Sequence, residues 1–92
     1  MISGFRRRGL RRLYELGDRS KVPPWLIGRA EEVLGMLDVA KRSRDMDLPG
    51  YRLHRLKGNL RGCWSVTLSA NWRIIFRLEG GDVYDIDLVD YH

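Results

Sequence analysis

The amino-acid sequence predicts an α+β domain, in which two N-terminal helices pack on one face of a small, mainly antiparallel β-sheet. Apolar residues within the first forty positions recur at helical spacing, whereas later stretches alternate apolar and polar residues. A Gly80-Gly81 pair separates the last two stretches, as a tight turn between antiparallel strands would. Because 92 residues with 43% hydrophobic content suffice for one two-layer core, we expect a single domain over 1–92.

The first helix is predicted from residues at helical spacing: Leu10, Leu13, Tyr14 and Leu16. Gly17 is expected to end it, and 1–5 is expected to form a short strand before it. Pro23-Pro24 predicts the start of a second helix, since proline is tolerated in a first helical turn. Its apolar stripe consists of Leu26, Ile27, Ala30, Val33, Leu34, Leu37 and Ala40.

Four strands are predicted after a loop at 45–50, over the ranges 51–56, 63–68, 72–78 and 82–89. Two registers of the last hairpin remain open. A two-residue turn pairs Glu79 with Asp82, but it places Asp85 and Asp87 on the apolar face beside Ile74, which is costly.

A three-residue loop with a glycine bulge instead pairs Leu78 with Asp82. This register groups an apolar set on one face: Trp72, Ile74, Phe76, Tyr84, Ile86 and Leu88. We favour this second register, in which Arg73 faces Asp87. A bulge or bend near Val89 would then bring the C-terminal residues towards Arg73.

Charge is distributed unevenly along the chain. Positions 1–57 hold 14 Lys/Arg and 7 Asp/Glu, a net +7, whereas 58–92 hold 3 and 5, a net −2. This asymmetry favours a polyanionic partner such as nucleic acid or an acidic protein, although a basic, solvated helix face is the simpler alternative. No apolar run approaches the length of a membrane span, and the single Cys63 favours a reducing, cytoplasmic environment.

The chemistry-bearing residues suit RNA cleavage without a metal ion or cofactor. Such cleavage needs a base for the 2′-OH, an acid for the departing 5′-oxygen and cations for the phosphorane. His54 and His92 are the only side chains whose unperturbed pKa lies near neutrality. The remaining candidates are Asp90 to orient a histidine, Lys57 and Arg73 to hold phosphate, and Tyr91 to stack on a base or donate a hydrogen bond. There are simpler alternatives. His54 is then only a polar strand residue whose hydrogen bonds are satisfied, and Arg73 only forms an ion pair with Asp87.

Four segments carry a resemblance to a known family: FRRRGLRRLYELG at 5–17, VPPWLIGRAEEVLGMLD at 22–38, LHRLKG at 53–58 and GCWSVTLSANWRIIFRLEGGDVYDIDLVDYH at 62–92. The chain resembles the HigB-like (host inhibition of growth) toxins of the RelE/ParE superfamily over nearly its whole length. The resemblance implies a microbial RNase fold and a bacterial toxin–antitoxin pair. It also implies metal-independent mRNA cleavage in the aminoacyl (A) site of the ribosome.

The resemblance extends to individual positions: the family's site residues match His54, Lys57, Arg73, Asp90, Tyr91 and His92. Which histidine is the acid and which the base stays open. The implied partners are a helix-turn-helix antitoxin, operator DNA bound through the antitoxin complex, and the 70S ribosome with its mRNA. The arginine-rich segment is expected to contact ribosomal RNA through Arg6, Arg7, Arg8, Arg11 and Arg12. The alternatives are a gyrase-targeting toxin like ParE and a non-enzymatic module that binds antitoxin and operator DNA.

Overall fold

Two helices and four antiparallel strands make up the fold of the computed structural model, which describes residues 1–90. The elements are α1 (Arg8–Leu16), α2 (Pro24–Val39), β1 (His54–Arg55), β2 (Trp64–Ser69), β3 (Trp72–Glu79) and β4 (Asp82–Asp90). Single 3₁₀ turns lie at Ser43–Met46 and Gly58–Leu60. The strands are ordered β1-β2-β3-β4 and each pairs antiparallel with the next. The predicted α+β architecture is therefore confirmed.

The predicted helix boundaries agree with the structure. Gly17 caps α1 in the left-handed conformation at φ 68°, and its N–H donates a hydrogen bond to the carbonyl oxygen of Leu13. Pro24 occupies the start of α2, where its missing N–H costs no helical hydrogen bond. Leu16 was wrongly assigned to the apolar stripe of α1. It is 67% exposed, because it lies far around the helix from the buried Leu10.

One hydrophobic core lies between the helices and the sheet. All seven residues of the predicted α2 stripe are buried, and they pack against the apolar face of the sheet. The sheet supplies Val66 and Leu68 from β2, Ile74 and Phe76 from β3, and Leu88 from β4. The predicted alternation of β2 and β3 is therefore confirmed.

The first predicted strand, 51–56, shrinks to two residues in the structure. Only His54 and Arg55 pair with β2, opposite Ser65 and Trp64. Arg52 adopts φ 51°, a left-handed conformation that interrupts an extended chain. A strand over 51–56 was therefore wrong at its beginning.

The predicted N-terminal strand is present only as two isolated bridges. Ile2 pairs with Val83 and Phe5 with Ile86, both in the parallel sense. The first residues thereby lie along the outer edge of β4, where they satisfy backbone groups that an edge strand leaves open.

The favoured register of the last hairpin was wrong. Glu79 pairs with Asp82, so the turn has two residues. The register then shifts between Ile75 and Arg77, and Asp85 on β4 adopts φ 55°. The bulge therefore lies in the middle of β4, neither at the turn nor near Val89.

This bulge removes the objection to the two-residue turn. Beyond it, Ile74 pairs with Leu88 and Ile75 with Asp87, so Asp87 leaves the apolar face while Leu88 stays buried. Arg73 consequently faces Val89 rather than Asp87.

The sheet has a second face that neither α1 nor α2 covers, which we call the open face. Its strand residues include Ser65, Thr67, Arg73, Ile75 and Asp87, by alternation with the core residues. A small apolar cluster lies on it, formed by Leu56, Cys63 and Ile75 with Leu60 and Val89. Within 1–90, neither helix has the length and apolarity that crossing a bilayer requires.

Candidate active site

A cleft of about 280 Å³ on the open face brings His54 and Arg73 together. Thr67 lies between them, and Arg52 and Leu53 complete the lining. Strand pairing builds the cleft, because Thr67 pairs with Arg73 across β2 and β3 while His54 is held on the neighbouring β1. His54 is exposed and Arg73 is partly buried, so the cleft joins a solvent-accessible imidazole to a positioned guanidinium.

Ser65 lies on β2 two residues before Thr67 and was assigned no role from the sequence. It pairs with His54 and is 1% exposed, yet its Oγ finds no hydrogen-bond partner among the described residues. The alternation of 63–68 already put Ser65 and Thr67 on the polar face with Cys63. That alternation is the signal by which both residues were detectable.

Lys57 lies at the turn that follows β1. It is exposed and precedes the 3₁₀ turn Gly58–Leu60. The Leu60 N–H donates a hydrogen bond to the Lys57 carbonyl oxygen at 3.4 Å. Lys57 is three residues from His54 in the sequence and is not part of the cleft lining.

Asp90 occupies the end of β4 and pairs with Trp72, the residue before Arg73. Strand alternation places Asp90 on the side of Leu88, whereas Arg73 and its partner Val89 belong to the open face. Asp90 is thus adjacent to Arg73 along the sheet but on the other side of it. Tyr91 and His92 lie outside the described residues.

The five arginines of the basic segment divide into two groups. Arg7, Arg11 and Arg12 form ion pairs with Asp87 at 3.4 Å, Glu15 at 3.0 Å and Asp18 at 2.7 Å, respectively. Arg6 and Arg8 are exposed, and neither forms an ion pair with a residue of the described part of the chain.

The Arg12 pair is the most tightly held of the three. Hydrogen bonds from Ser20 and then from Arg12 hold the pKa of the Asp18 carboxyl well below its ordinary value. Arg12 is therefore committed to its own chain, which leaves Arg6 and Arg8 as the members best suited to an external phosphate.

No three His, Cys, Asp or Glu side chains converge within residues 1–90 in a way that would hold a metal ion. Metal independence stays a prediction, which rests on the residue types and on the resemblance.

Comparison with known sequences identifies a family over almost the whole chain. The model of RelE-like toxins of the type II toxin–antitoxin system HigB matches residues 3–92. Endoribonuclease HigB of Proteus vulgaris is 40% identical over 92 residues, which cover 100% of both chains. Toxin HigB-1 of Vibrio cholerae serotype O1 is 33% identical over 83 residues, with 88% of this chain and 87% of that protein covered.

Solved structures show the same fold. Two YoeB–YefM complexes from Staphylococcus aureus superpose with TM-scores of 0.63 and 0.62, at 17% and 20% sequence identity. Each comparison covers 100% of this chain and 95% of the other. At such identities the likeness concerns the fold, while the sequence matches decide the family. The chain belongs to the HigB-like toxins, RelE-like toxins of type II toxin–antitoxin systems.

Proposed function

We propose that this toxin cleaves mRNA in the A site of the ribosome, without a metal ion, and thereby inhibits translation and growth. The endoribonuclease class follows from the family and from the full-length relative that carries that name. The observation that supports the site is the cleft on the open face, which His54 and Arg73 line together.

The reaction begins when a base removes the proton of the 2′-OH and the 2′-oxygen attacks the adjacent phosphorus. The bond from phosphorus to the 5′-oxygen then breaks, and an acid protonates that oxygen, which leaves a 2′,3′-cyclic phosphate and a 5′-OH. His54 and His92 are the proposed proton-transfer pair, because imidazole changes charge near neutral pH. Asp90 supports one histidine, and Tyr91 stacks on a base or donates a hydrogen bond.

Cations hold the phosphate during this sequence. Arg73 offers a planar fork that fits two phosphate oxygens, and its place beside His54 suits the scissile group. Lys57 contacts the same phosphate or its neighbour. We assign ribosomal RNA contacts to the basic segment of α1 and the residues before it, chiefly to Arg6 and Arg8.

A cognate helix-turn-helix antitoxin is the proposed protein partner, and operator DNA is bound through the complex. Two observations support an antitoxin partner. The chain belongs to a family of type II toxins, and the two structural neighbours are toxin–antitoxin complexes. The net charge of +5 suits an inhibitor with an acidic contact surface.

The test is cleavage of an mRNA programmed on 70S ribosomes, next to the same RNA free in solution, with EDTA in the free-RNA reactions. Wild-type protein is expected to cut only the ribosome-bound message. His54→Ala and His92→Ala should each lower the rate by about 10²–10⁴-fold, the usual contribution of a general acid or base.

Arg55→Ala is the matched control, because Arg55 neighbours His54 on the same short strand and is also exposed. Its cleavage rate should stay within a few-fold of wild type. If folded wild-type protein leaves ribosome-bound mRNA intact, the nuclease proposal fails, and gyrase poisoning or a binding-only role takes its place.

A further inference from the structure

A second hollow lies on the open face, between the 3₁₀ turn Gly58–Leu60 and β4, and we call it the β4 groove. Its volume is about 100 Å³. Its floor is formed by members of the small apolar cluster on this face: Leu60, Cys63, Ile75 and Val89. Polar side chains form its rim: Arg6, Asn59, Arg77, Asp85 and Asp87. The groove therefore combines an apolar base with hydrogen-bonding groups at its edge.

The bulge of β4 creates this rim. Asp85 adopts φ 55° at the register shift, and beyond the shift Asp87 pairs with Ile75 on the open face. Arg77 Nε lies 3.4 Å from Asp85 Oδ2. A Cβ at Gly62 would lie only 2.7 Å from Arg77 Nη1, so glycine there leaves room for the guanidinium. These contacts hold one side of the rim in place before any ligand arrives.

Asp87 is the better positioned of the two carboxylates. Its Oδ1 accepts a hydrogen bond from the Leu88 N–H at 2.8 Å and faces Arg7 Nε at 3.4 Å. The side chain is 24% exposed, against 46% for Asp85. Within residues 1–90 the hydrogen bonds of Asp87 engage Oδ1, which leaves Oδ2 for a ligand.

The groove neighbours the candidate active site on the same face of the sheet, and the two hollows share no lining residue. His54, Ser65, Ile75 and Asp87 form one row across the four strands, because each pairs with the next. Three strand spacings of about 4.8 Å place Asp87 roughly 14 Å from His54. Arg73 in the cleft pairs directly with Val89 on the groove floor. An RNA strand held in the cleft can therefore cross the open face into the groove.

The chemistry of the groove fits a nucleobase better than a phosphate. Arg6 and Arg77 balance the charge of the two carboxylates at the rim, so the groove has no net positive charge to attract phosphate, whereas its apolar floor accepts the flat face of a ring. The volume is far below that of pockets for whole small ligands, which suits one inserted base. An ionised carboxylate only accepts hydrogen bonds, so the bound base must donate. Adenine, cytosine and guanine present amino groups, while the N3–H of uracil lies between two carbonyl oxygens.

We propose that the β4 groove binds one mRNA base away from the scissile bond, and that Asp87 selects a base bearing an exocyclic amino group over uracil. The proposal rests on the proposed function, since it assigns a specificity subsite to the same RNA-cleaving face.

The test is titration of ¹⁵N-labelled wild-type protein with each of the four nucleoside 5′-monophosphates, followed by amide chemical shifts. The amides of Ile75, Leu88 and Val89 should shift with AMP, CMP and GMP, at several-fold lower concentration than with UMP. Asp87→Asn should remove this preference, because its amide donates as well as accepts. Asp82→Asn is the control, since Asp82 is exposed on the same strand outside the groove.

Leu60→Phe provides a variant that leaves Asp87 intact, including its Arg7 ion pair. It fills the groove, so the shifts with all four nucleotides should disappear. Shifts confined to other residues, equal affinity for UMP, or an unchanged preference in folded Asp87→Asn would each overturn the proposal. A cleavage assay on ribosome-bound mRNA distinguishes failure of the base subsite from failure of the proposed nuclease function. A wild-type protein that cleaves but shows no chemical-shift changes in the groove overturns the subsite alone. One that shows the shifts but never cleaves overturns the nuclease function.

Discussion

At the residue scale, the candidate site rests on His54 and Arg73, which line one cleft on the open face of the sheet. With two histidines in the chain, His54 stood out at once, and the structure places it in one cleft with Arg73. The partner of Arg73 was not predictable, because a register shift of two residues, one from the turn and one from the bulge, decides whether Asp87 or Val89 faces it. Ser65 could be assigned to the polar face of its strand, but its burial becomes visible only once the strands are paired.

Among single residues, the arginines of the basic segment give the sharpest contrast. Arg6→Gln and Arg8→Gln should each weaken RNA binding and reduce the slope of log K against log salt by about 0.7, the value for one lost phosphate contact on a single strand. Arg12→Gln should leave the slope nearly unchanged, because Arg12 is paired with Asp18. Binding to a single-stranded RNA over a range of salt concentrations measures this. Equal slopes for the Arg6 and Arg12 variants would contradict the division.

At the level of elements, helices were predicted more accurately than strands because their signals are local. Pro24 and Gly17 mark the α2 start and the α1 end from their own backbone requirements. The extent of β1 depends on a distant partner strand, and the bulge at Asp85 depends on which side chains the core can bury. The alternation of apolar and polar residues within one strand reveals neither the partner strand nor the position of a bulge. The favoured hairpin register was wrong for this reason.

Two glycines in helical surroundings should respond to alanine in opposite directions. Gly17→Ala should destabilise the fold by about 1 kcal/mol, because φ 68° is unfavourable for a residue with a Cβ. Gly35→Ala should stabilise it by about 0.5–1 kcal/mol, because it lies in α2 and an added Cβ meets nothing within 4 Å. Urea unfolding of both variants measures the two free energies. Destabilisation by Gly35→Ala would show that this face of α2 is not open.

In the whole molecule, the two faces of the sheet have different roles. The helices and the core stabilise the fold on one side, which leaves the open face for the cleft and the β4 groove. The sequence predicted the two layers and the excess of positive charge, and the resemblance supplied the toxin family that the comparisons confirm. The roles of His54 and His92 as a proton-transfer pair are the central proposal.

The measurement that tests this proposal most directly replaces the 5′-oxygen at the scissile bond with sulfur. A thiolate departs without needing a proton, so the sulfur substrate bypasses the general acid but not the general base. Cleavage rates on ribosome-bound mRNA are compared for wild type, His54→Ala and His92→Ala, with the oxygen and the sulfur substrates. The account predicts that both variants are slow on the oxygen substrate and that one of them, the acid variant, regains most of its rate with sulfur. Rescue of neither variant, or wild-type rates for either one with oxygen, would contradict the assignment of a histidine acid–base pair.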